Sequence, residues 1–343
     1  MKRDYNSNVL DVFRLIATAQ VFLGHIITHF VMENPPVNVV YFVRGVPILF
    51  VLCGFLAAKS LEGRTPKEWL TGRAVRIVPG FWACIVVNTL IILLVYETKP
   101  SVIEGGIYAV TQFFGMNFYT GDWLRGYGCG TPNGVLWTIP VQIQFVLLVP
   151  FMDRMLKTKS VRKGGIFVLV LSAVSILAQK SSVFLPTIVS KLIGVTVVPY
   201  LYFLVADMVG WYHRDTIIPA LQRKKWILLG AYTAWKTMEN HLSFPHILDG
   251  VMYNTVTTLL MAALIFAFAF CGSWRMKRDL TFGFYLYHMV VINLVLHFGM
   301  NTLEPLWRGG LLIAGIAVLS TLCAWLSQRY VEIPTAKLLK KKG

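Results

Sequence analysis

An arginine and a histidine stand at the two ends of the apolar segment RLIATAQVFLGH, from Arg14 to His25. Ionisable side chains within a membrane-length apolar segment are costly and usually functional. Eleven residues make almost three helical turns, so both side chains lie on one face of a predicted helix, about 16 Å apart along its axis. Asp11 precedes Arg14 by three residues and is placed to pair with its guanidinium.

These residue types suit acid–base chemistry, because a neutral imidazole is the usual general base for activating a hydroxyl group. The segment therefore predicts a catalytic helix with His25 as the base. The alternative is that His25 only forms a hydrogen bond to a neighbouring helix, while Arg14 reaches out to lipid phosphate.

A second pair of cations lies in the sequence GRAVRI, where Arg73 and Arg76 are one helical turn apart. Two guanidinium groups at this spacing can bind a phosphate with paired hydrogen bonds. The spacing predicts a site for a phosphorylated substrate. The alternative is ordinary positive charge at the cytoplasmic end of a membrane span.

The elements that position these residues are predicted to be membrane helices. The chain has 343 residues, a mean hydropathy of +0.63 and 14% charged residues, which is too little polar surface for a water-soluble globular protein. We expect an all-α, polytopic membrane protein with one domain over 1–343, a helical bundle over about 10–330 and a basic cytoplasmic tail over 331–343. No small-residue cleavage site follows the first apolar run, so it is predicted to be retained. Segments of bilayer length make about ten transmembrane helices, at 10–31, 39–58, 77–96, 134–153, 164–180, 189–211, 225–241, 250–272, 279–300 and 309–329.

Positive charge predicts the orientation of these helices, because cytoplasmic loops are enriched in lysine and arginine. With the N-terminus inside and ten spans, both termini are cytoplasmic and most of the 32 lysines and arginines fall on the cytoplasmic side. A further span at 101–120 would move the basic loop 154–163 outside, so that segment is predicted to be an outer-face or re-entrant piece. The basic residues then predicted for the outer side are Arg44, Lys99, Arg125, Lys180, Lys191, Lys236 and Arg308.

The net charge of +16 therefore reflects membrane topology more than a partner. Binding to nucleic acid would need basic residues gathered on a solvated domain, and none is predicted. The cysteine spacing predicts neither a disulfide framework nor a zinc site, and we expect no metal.

Six motifs occur in an order that resembles the acyltransferase-3 family of bacterial membrane proteins. They are LDVFRLIATAQVFLGH, VPILFVLCGFL, RAVRIVPGFW, LWTIPVQIQFVLLVP, FYLYH and LSQRYVEIP, and the resemblance extends from Leu10 to about Leu339. It implies an O-acyltransferase of the bacterial inner membrane that takes an acyl group, usually acetyl, from cytoplasmic acyl-coenzyme A. The acceptor implied is a hydroxyl of an outward-facing surface polysaccharide such as lipid-linked O-antigen. The short chain implies the form without a fused esterase-like domain.

The resemblance also implies roles for individual residues. Arg14 and His25 match a family motif of arginine or lysine, ten residues and a histidine, in which the histidine is regarded as catalytic. Arg73 and Arg76 match the family's RxxR motif, which is thought to engage the donor. On this basis His25 and Arg14 are the catalytic candidates, and Arg14, Arg73 and Arg76 are the candidates for binding acetyl-coenzyme A.

The chain departs from the family pattern in one motif. Where the family usually has WSLSVE, this chain has residues 137–142, which begin with Trp137 and end with Gln142 in place of the glutamate. A glutamine cannot carry charge or accept a proton, so Gln142 is predicted only to form hydrogen bonds to a substrate or to orient His25.

Other residues are candidates for supporting roles. His288 lies near Tyr285 and is either a second functional group or a structural one. Arg329 and Glu332 are predicted to form an ion pair at a helix end. The long outer loop over 97–133 is a candidate for choosing the acceptor. The supporting candidates are Asp11, Trp137, Gln142, Tyr285, His288, Arg329 and Glu332.

Two other functions remain open at this point. The first is a transporter or exporter of glycans, a class that often has inverted repeats and broken helices, which the sequence does not predict here. The second is a membrane acyltransferase that modifies a small sugar on the inner face. In each case we expect membrane lipids as partners and no nucleic acid.

Overall fold

The computed structural model describes Tyr5, residues 8–117 and residues 119–340, with side chains as far as Leu338. Lys2, Arg3, Lys341 and Lys342, which were predicted for the cytoplasmic side, lie outside the described residues. The described part is built from α-helices: α1 (Leu10–His29), α2 (Val37–Val40), α3 (Gly45–Leu61), α4 (Pro66–Val95), α5 (Val102–Phe113), α6 (Thr138–Leu156), α7 (Val161–Ser181), α8 (Thr187–Gly194), α9 (Leu201–Tyr212), α10 (Arg214–Arg223), α11 (Lys225–His241), α12 (Thr255–Ala269), α13 (Thr281–His297), α14 (Leu306–Ser327) and α15 (Ile333–Lys340).

The all-helical, membrane-spanning character predicted from composition is confirmed, but the count of about ten spans and the cytoplasmic placement of both termini are not. Each of the ten predicted segments contains a helix. By length and apolar composition, however, the described residues contain six helices that can cross a membrane, or seven if α8 and α9 form one bent span. Helices α12 and α13 are apolar but shorter. Helix α5 has 12 residues, which is too few to cross a bilayer.

The predicted single span at 189–211 is broken, and the prediction of a continuous helix was wrong here. The pair α8 and α9 bends by 48°. At the break, the side chain of Gln144 on α6 replaces the missing helical hydrogen bonds: Oε1 accepts from the backbone N–H of Val197 at 2.8 Å, and Nε2 donates to the carbonyl of Val195 at 3.0 Å. Because an unpaired backbone group is expensive in a bilayer, such a side chain is what makes a bend tolerable.

Helix α11 carries charges that its sequence places in an otherwise apolar segment. Lys236 is 2% exposed and its ammonium donates to Glu239 Oε1 at 2.8 Å. Thr257 of α12 donates to the other oxygen of Glu239. The two charges are therefore neutralised inside the protein, as buried ions must be.

The helices belong to two compact units, each drawn from three stretches of chain. The first unit comprises Met1–Ala17, Arg44–Leu70 and Val141–Lys277. Its centre is the contact between α3 and α9, where Phe50 packs edge-on against Phe145 and lies beside Phe203. Gly54 permits this close approach, since a Cβ there would lie 2.9 Å from the carbonyl oxygen of Leu204. Small residues serve the same purpose at many membrane helix contacts.

The second unit comprises Thr18–Val43, Thr71–Pro140 and Arg278–Gly343. Within it α13 packs against α14, and Asn293 of α13 fastens the glycine-rich loop that follows α5. The buried Asn293 side chain accepts from the N–H of Cys129 at 3.0 Å and donates to the carbonyls of Thr131 and Pro132, both at 2.9 Å. This part of the predicted acceptor loop is therefore held in place by buried hydrogen bonds.

Candidate active site

Three histidines from two helices lie together in the second unit. His25 and His29 are one turn apart on α1, and their rings stack with centroids 5.6 Å apart. The ring of His288, on α13, lies 5.5 Å from that of His25. His288 is fully buried, whereas His25 and His29 are half-buried. The described residues contain no group of histidine, cysteine and carboxylate side chains arranged to hold a metal ion.

The two nitrogens of His288 have different surroundings. Nδ1 donates to the carbonyl of Phe284 at 3.2 Å, one turn earlier on α13. Nε2 is buried and has no hydrogen-bonding partner among the described residues. A histidine whose Nδ1 carries the proton presents a lone pair at Nε2. Nε2 is therefore a free acceptor in the ring that adjoins His25.

Aromatic side chains fix the orientation of the His288 ring. Phe284 stacks on it with centroids 5.9 Å apart, and Phe22 of α1 meets it edge-on at 6.1 Å. Tyr285 packs against the same ring, and its hydroxyl forms a 2.9 Å hydrogen bond with that of Thr138. The motifs FYLYH and LWTIP, which are far apart in sequence, thus meet beside His288.

The RxxR motif lies on α4 in the same unit. Arg76 is 61% exposed, and its guanidinium is 3.6 Å from the carboxylate of Asp279, which lies just before α13. Arg73 is half-buried. Gln328 donates to the carbonyl of Asp279 at 2.7 Å and accepts from Arg278 at 2.9 Å. Arg76 of α4 and Arg278, which precedes α13, therefore lie beside Asp279 and Gln328.

Helix α13 connects this arginine cluster with the histidines. Its first residue, Thr281, forms hydrogen bonds to Asp279 through its backbone N–H and its hydroxyl. His288 follows seven residues later, which corresponds to about 10 Å along the helix. A long, thin ligand with phosphates at one end could therefore contact the arginines while its other end reaches the histidines.

Arg14 and Asp11 lie in the part of α1 that belongs to the first unit. The expected ion pair is present, with Arg14 Nη1 3.1 Å from Asp11 Oδ1. The second carboxylate oxygen of Asp11 accepts from the backbone N–H of Met276 at 3.1 Å. Asp11 therefore holds the guanidinium and also the chain just before Arg278.

The remaining candidates have different surroundings. Trp137 lies just before α6 in the second unit, and Gln142 is half-buried on α6 in the first unit. The ion pair predicted between Arg329 and Glu332 was wrong, because residues 328–332 form a π-helical turn instead of a regular α-helix. Arg329 lies over the ring of Trp325 at 5.2 Å, and Glu332 accepts from Ser327 at 3.0 Å.

The sequence analysis did not single out two residues, one that contacts a candidate residue and one that supports a helix break. His29 follows His25 by four residues, so the sequence alone places a second histidine one helical turn later on the same face. Gln144 lies two residues after Gln142 and secures the break between α8 and α9. No sequence pattern pointed to it, because the break itself was not predicted.

Comparison with known proteins identifies the family. The sequence profile of a family described as an acyltransferase domain, Acyl_transf_3, matches residues 8–328. The chain is also similar to Nodulation protein 10 of Rhizobium leguminosarum bv. viciae, with 23% identity over 357 residues that cover 96% of this chain and 94% of that protein. No solved structure matches. Because the profile covers nearly the whole chain, including the three histidines and Arg14, Arg73 and Arg76, the protein belongs to the acyltransferase-3 family and is a multi-pass membrane acyltransferase.

Proposed function

We propose that this acyltransferase moves an acetyl group from cytoplasmic acetyl-coenzyme A to a hydroxyl of a surface polysaccharide, such as lipid-linked O-antigen, on the periplasmic side of the bacterial inner membrane. The observation that carries the proposal is the contact between His25 and His288, 5.5 Å apart, with Nε2 of His288 unpartnered among the described residues. A pair of histidines in a membrane interior is unusual unless it is used.

In the proposed reaction His25 is the general base. It takes the proton of the sugar hydroxyl while the hydroxyl oxygen forms a bond to the thioester carbonyl carbon. The carbon–sulfur bond then breaks, and coenzyme A leaves as the thiol after it receives the proton from His25. A covalent acyl-enzyme would divide this reaction into two transfers with the same overall balance. General bases of this kind contribute about 10²–10⁴-fold to the rate.

His288 acts on His25 in this scheme and does not itself touch the substrate. Its Nδ1 is engaged by Phe284, and its ring is held by Phe22 and Phe284. Nε2 is therefore available to accept a hydrogen bond from the neighbouring imidazole. Such a bond would select the His25 tautomer whose other nitrogen can take a proton.

The arginines are assigned to the donor. Coenzyme A is a polyanion, and guanidinium groups bind phosphate oxygens with paired, charge-assisted hydrogen bonds. Arg73 and Arg76 are assigned to these phosphates, and Arg14 keeps the donor-binding role that the family resemblance implies. Arg76 is largely exposed, and its guanidinium lies 3.6 Å from the Asp279 carboxylate, which is longer than an ordinary hydrogen bond. Its side chain is therefore able to contact a ligand.

The test is transfer of radiolabelled acetyl from acetyl-coenzyme A to surface polysaccharide by membranes that contain the wild-type chain or His25→Ala at matched expression. We expect label with the wild type and a loss of at least about 100-fold with the variant. Equal labelling would show that His25 is structural. No label with either protein would contradict the donor or the acceptor.

A further inference from the structure

A cavity of about 260 Å³ lies in the first unit, between the ends of several helices. We call it the α11–α12 cavity. It is lined by polar side chains from α7, α11 and the segments before α3 and α12: Arg44, Gln179, Glu239, His246, Asp249 and Asn254. Pro47, Met252 and Met261 add apolar surface. None of these residues has a role in the proposed chemistry.

The wall of the cavity is held in a fixed shape by Asn254. Its Oδ1 accepts from the N–H groups of Val256 and Thr257, which caps α12, and also from Trp235 Nε1 at 3.2 Å. Its Nδ2 donates to Asp249 at 2.9 Å and to the carbonyl of Pro245 at 2.7 Å. A preformed cavity with a few fixed polar groups is typical of a small-molecule site.

The charges around the cavity balance. Glu239 is paired with Lys236, and the lining holds both Asp249 and Arg44. His246 Nδ1 is 2.9 Å from the second oxygen of Asp249. A polyanion such as a nucleotide or a lipid phosphate would meet two carboxylates here, and a metal ion would have to compete with Lys236 and Asn254 for those same carboxylates. The balance therefore favours a neutral, polar ligand.

One hydrogen-bonding group on the lining remains unused, because the side-chain amide of Gln179 forms no hydrogen bond with the described residues. An amide supplies donors and an acceptor. Together with the Met and Pro surfaces, this amide matches a ring that has hydroxyls on its edge and C–H groups on its faces.

We propose that the α11–α12 cavity binds one neutral sugar unit of the acceptor glycan. The inference rests on the proposed function for the identity of the ligand. The volume is close to the lower limit for small-molecule sites, about 300 Å³, so it suits a single ring. The charge distribution of the sequence predicts that Arg44, Lys180 and the segment between α11 and α12 face the outer side, where such a glycan would be.

Trp235 provides a direct readout, because its indole donates to Asn254 on the cavity wall. The full-length protein in detergent is titrated with the methyl glycosides of glucose, galactose and N-acetylglucosamine while tryptophan fluorescence is recorded. We expect a saturable change with at least one of them, lost in Trp235→Phe and kept in Trp226→Phe, an exposed tryptophan on the same helix. Absence of a saturable change up to about 50 mM of every sugar would count against the cavity.

A second measurement separates this inference from the proposed function. Gln179→Leu should raise the KM for the glycan at least tenfold and leave the KM for acetyl-coenzyme A unchanged. If the wild type transfers acetyl but Gln179→Leu has a normal glycan KM, the cavity is not the acceptor site and the proposed function stands. If a sugar binds at the cavity but the wild type transfers no acetyl, the cavity is a sugar site and the proposed function fails.

Discussion

Replacing His288 by asparagine or by glutamine separates the roles of its two nitrogens. The asparagine amide occupies the position of Nδ1, so His288→Asn can keep the hydrogen bond to the carbonyl of Phe284, which is 3.2 Å long in the structure. It has no atom at the position of Nε2. The glutamine amide occupies the position of Nε2 and gives up the bond to Phe284. The two variants therefore remove one nitrogen each from the same buried ring.

The magnitudes follow from what each nitrogen contacts. If Nε2 orients His25, His288→Asn should lower kcat about 100-fold, which corresponds to about 2.7 kcal/mol of barrier. His288→Gln should lose about 1 kcal/mol of stability with the Nδ1 hydrogen bond and keep kcat within about tenfold, because its amide can still accept a hydrogen bond. The KM for acetyl-coenzyme A should be unchanged in both variants.

The assay is acetyl transfer by purified protein in lipid nanodiscs, with thermal unfolding measured on the same samples. His29→Asn is the matched control, since His29 stacks on His25 and has no assigned role. Wild-type kcat in His288→Asn would refute the reasoning, because Nε2 would then be irrelevant. An equal loss in both variants would mean that His288 must itself exchange a proton.

Three further predictions concern the donor site, the outer loop and a buried carboxylate. Arg76→Ala should raise the KM for acetyl-coenzyme A about 10–100-fold with kcat unchanged, because one or two charge-assisted hydrogen bonds to phosphate, about 1.5–3 kcal/mol, are lost. Asn293→Ala should lower the free energy of unfolding by about 3 kcal/mol, since three hydrogen bonds to the outer loop are removed from a fully buried side chain, and thermal unfolding in detergent would measure it. Asp207→Asn should unfold at the same or a higher temperature than the wild type and keep its activity, because Asp207 is fully buried on α9 and neither of its oxygens has a partner among the described residues.

Each of these predictions has a control in the chain. Lys67→Ala changes an exposed cation at the start of α4 and should leave the KM for acetyl-coenzyme A alone. Asn301→Ala removes an exposed amide and should not change the unfolding temperature. A normal KM in Arg76→Ala would remove this arginine from the donor site, and unchanged stability in Asn293→Ala would show that the loop is not held by these bonds. Loss of activity in a stable Asp207→Asn protein would make that carboxylate functional.

The sequence alone predicts the helices and the first candidate residues of the active site, because apolar length and residue type are local properties. Arg14 and Asp11 pair as their spacing of three predicts. The contact of His288 with His25 joins residues more than 250 positions apart, so no local pattern could place it. The bend between α8 and α9 depends on Gln144 from another helix, and the Arg329–Glu332 prediction failed because a π-helical turn alters the spacing along the helix.

The way Asn293 holds the outer loop also decides where the protein can be modified for experiments. Residues 129–132 are hydrogen-bonded to α13, the helix that carries His288. An epitope tag or fluorescent protein inserted there would therefore disturb the candidate active site. The turn between α3 and α4 is a better choice. Gly63 there is exposed, has a φ of +74°, and nothing lies within 4 Å of the position of a Cβ atom. A tag at Gly63 should report topology and expression without disturbing the histidines.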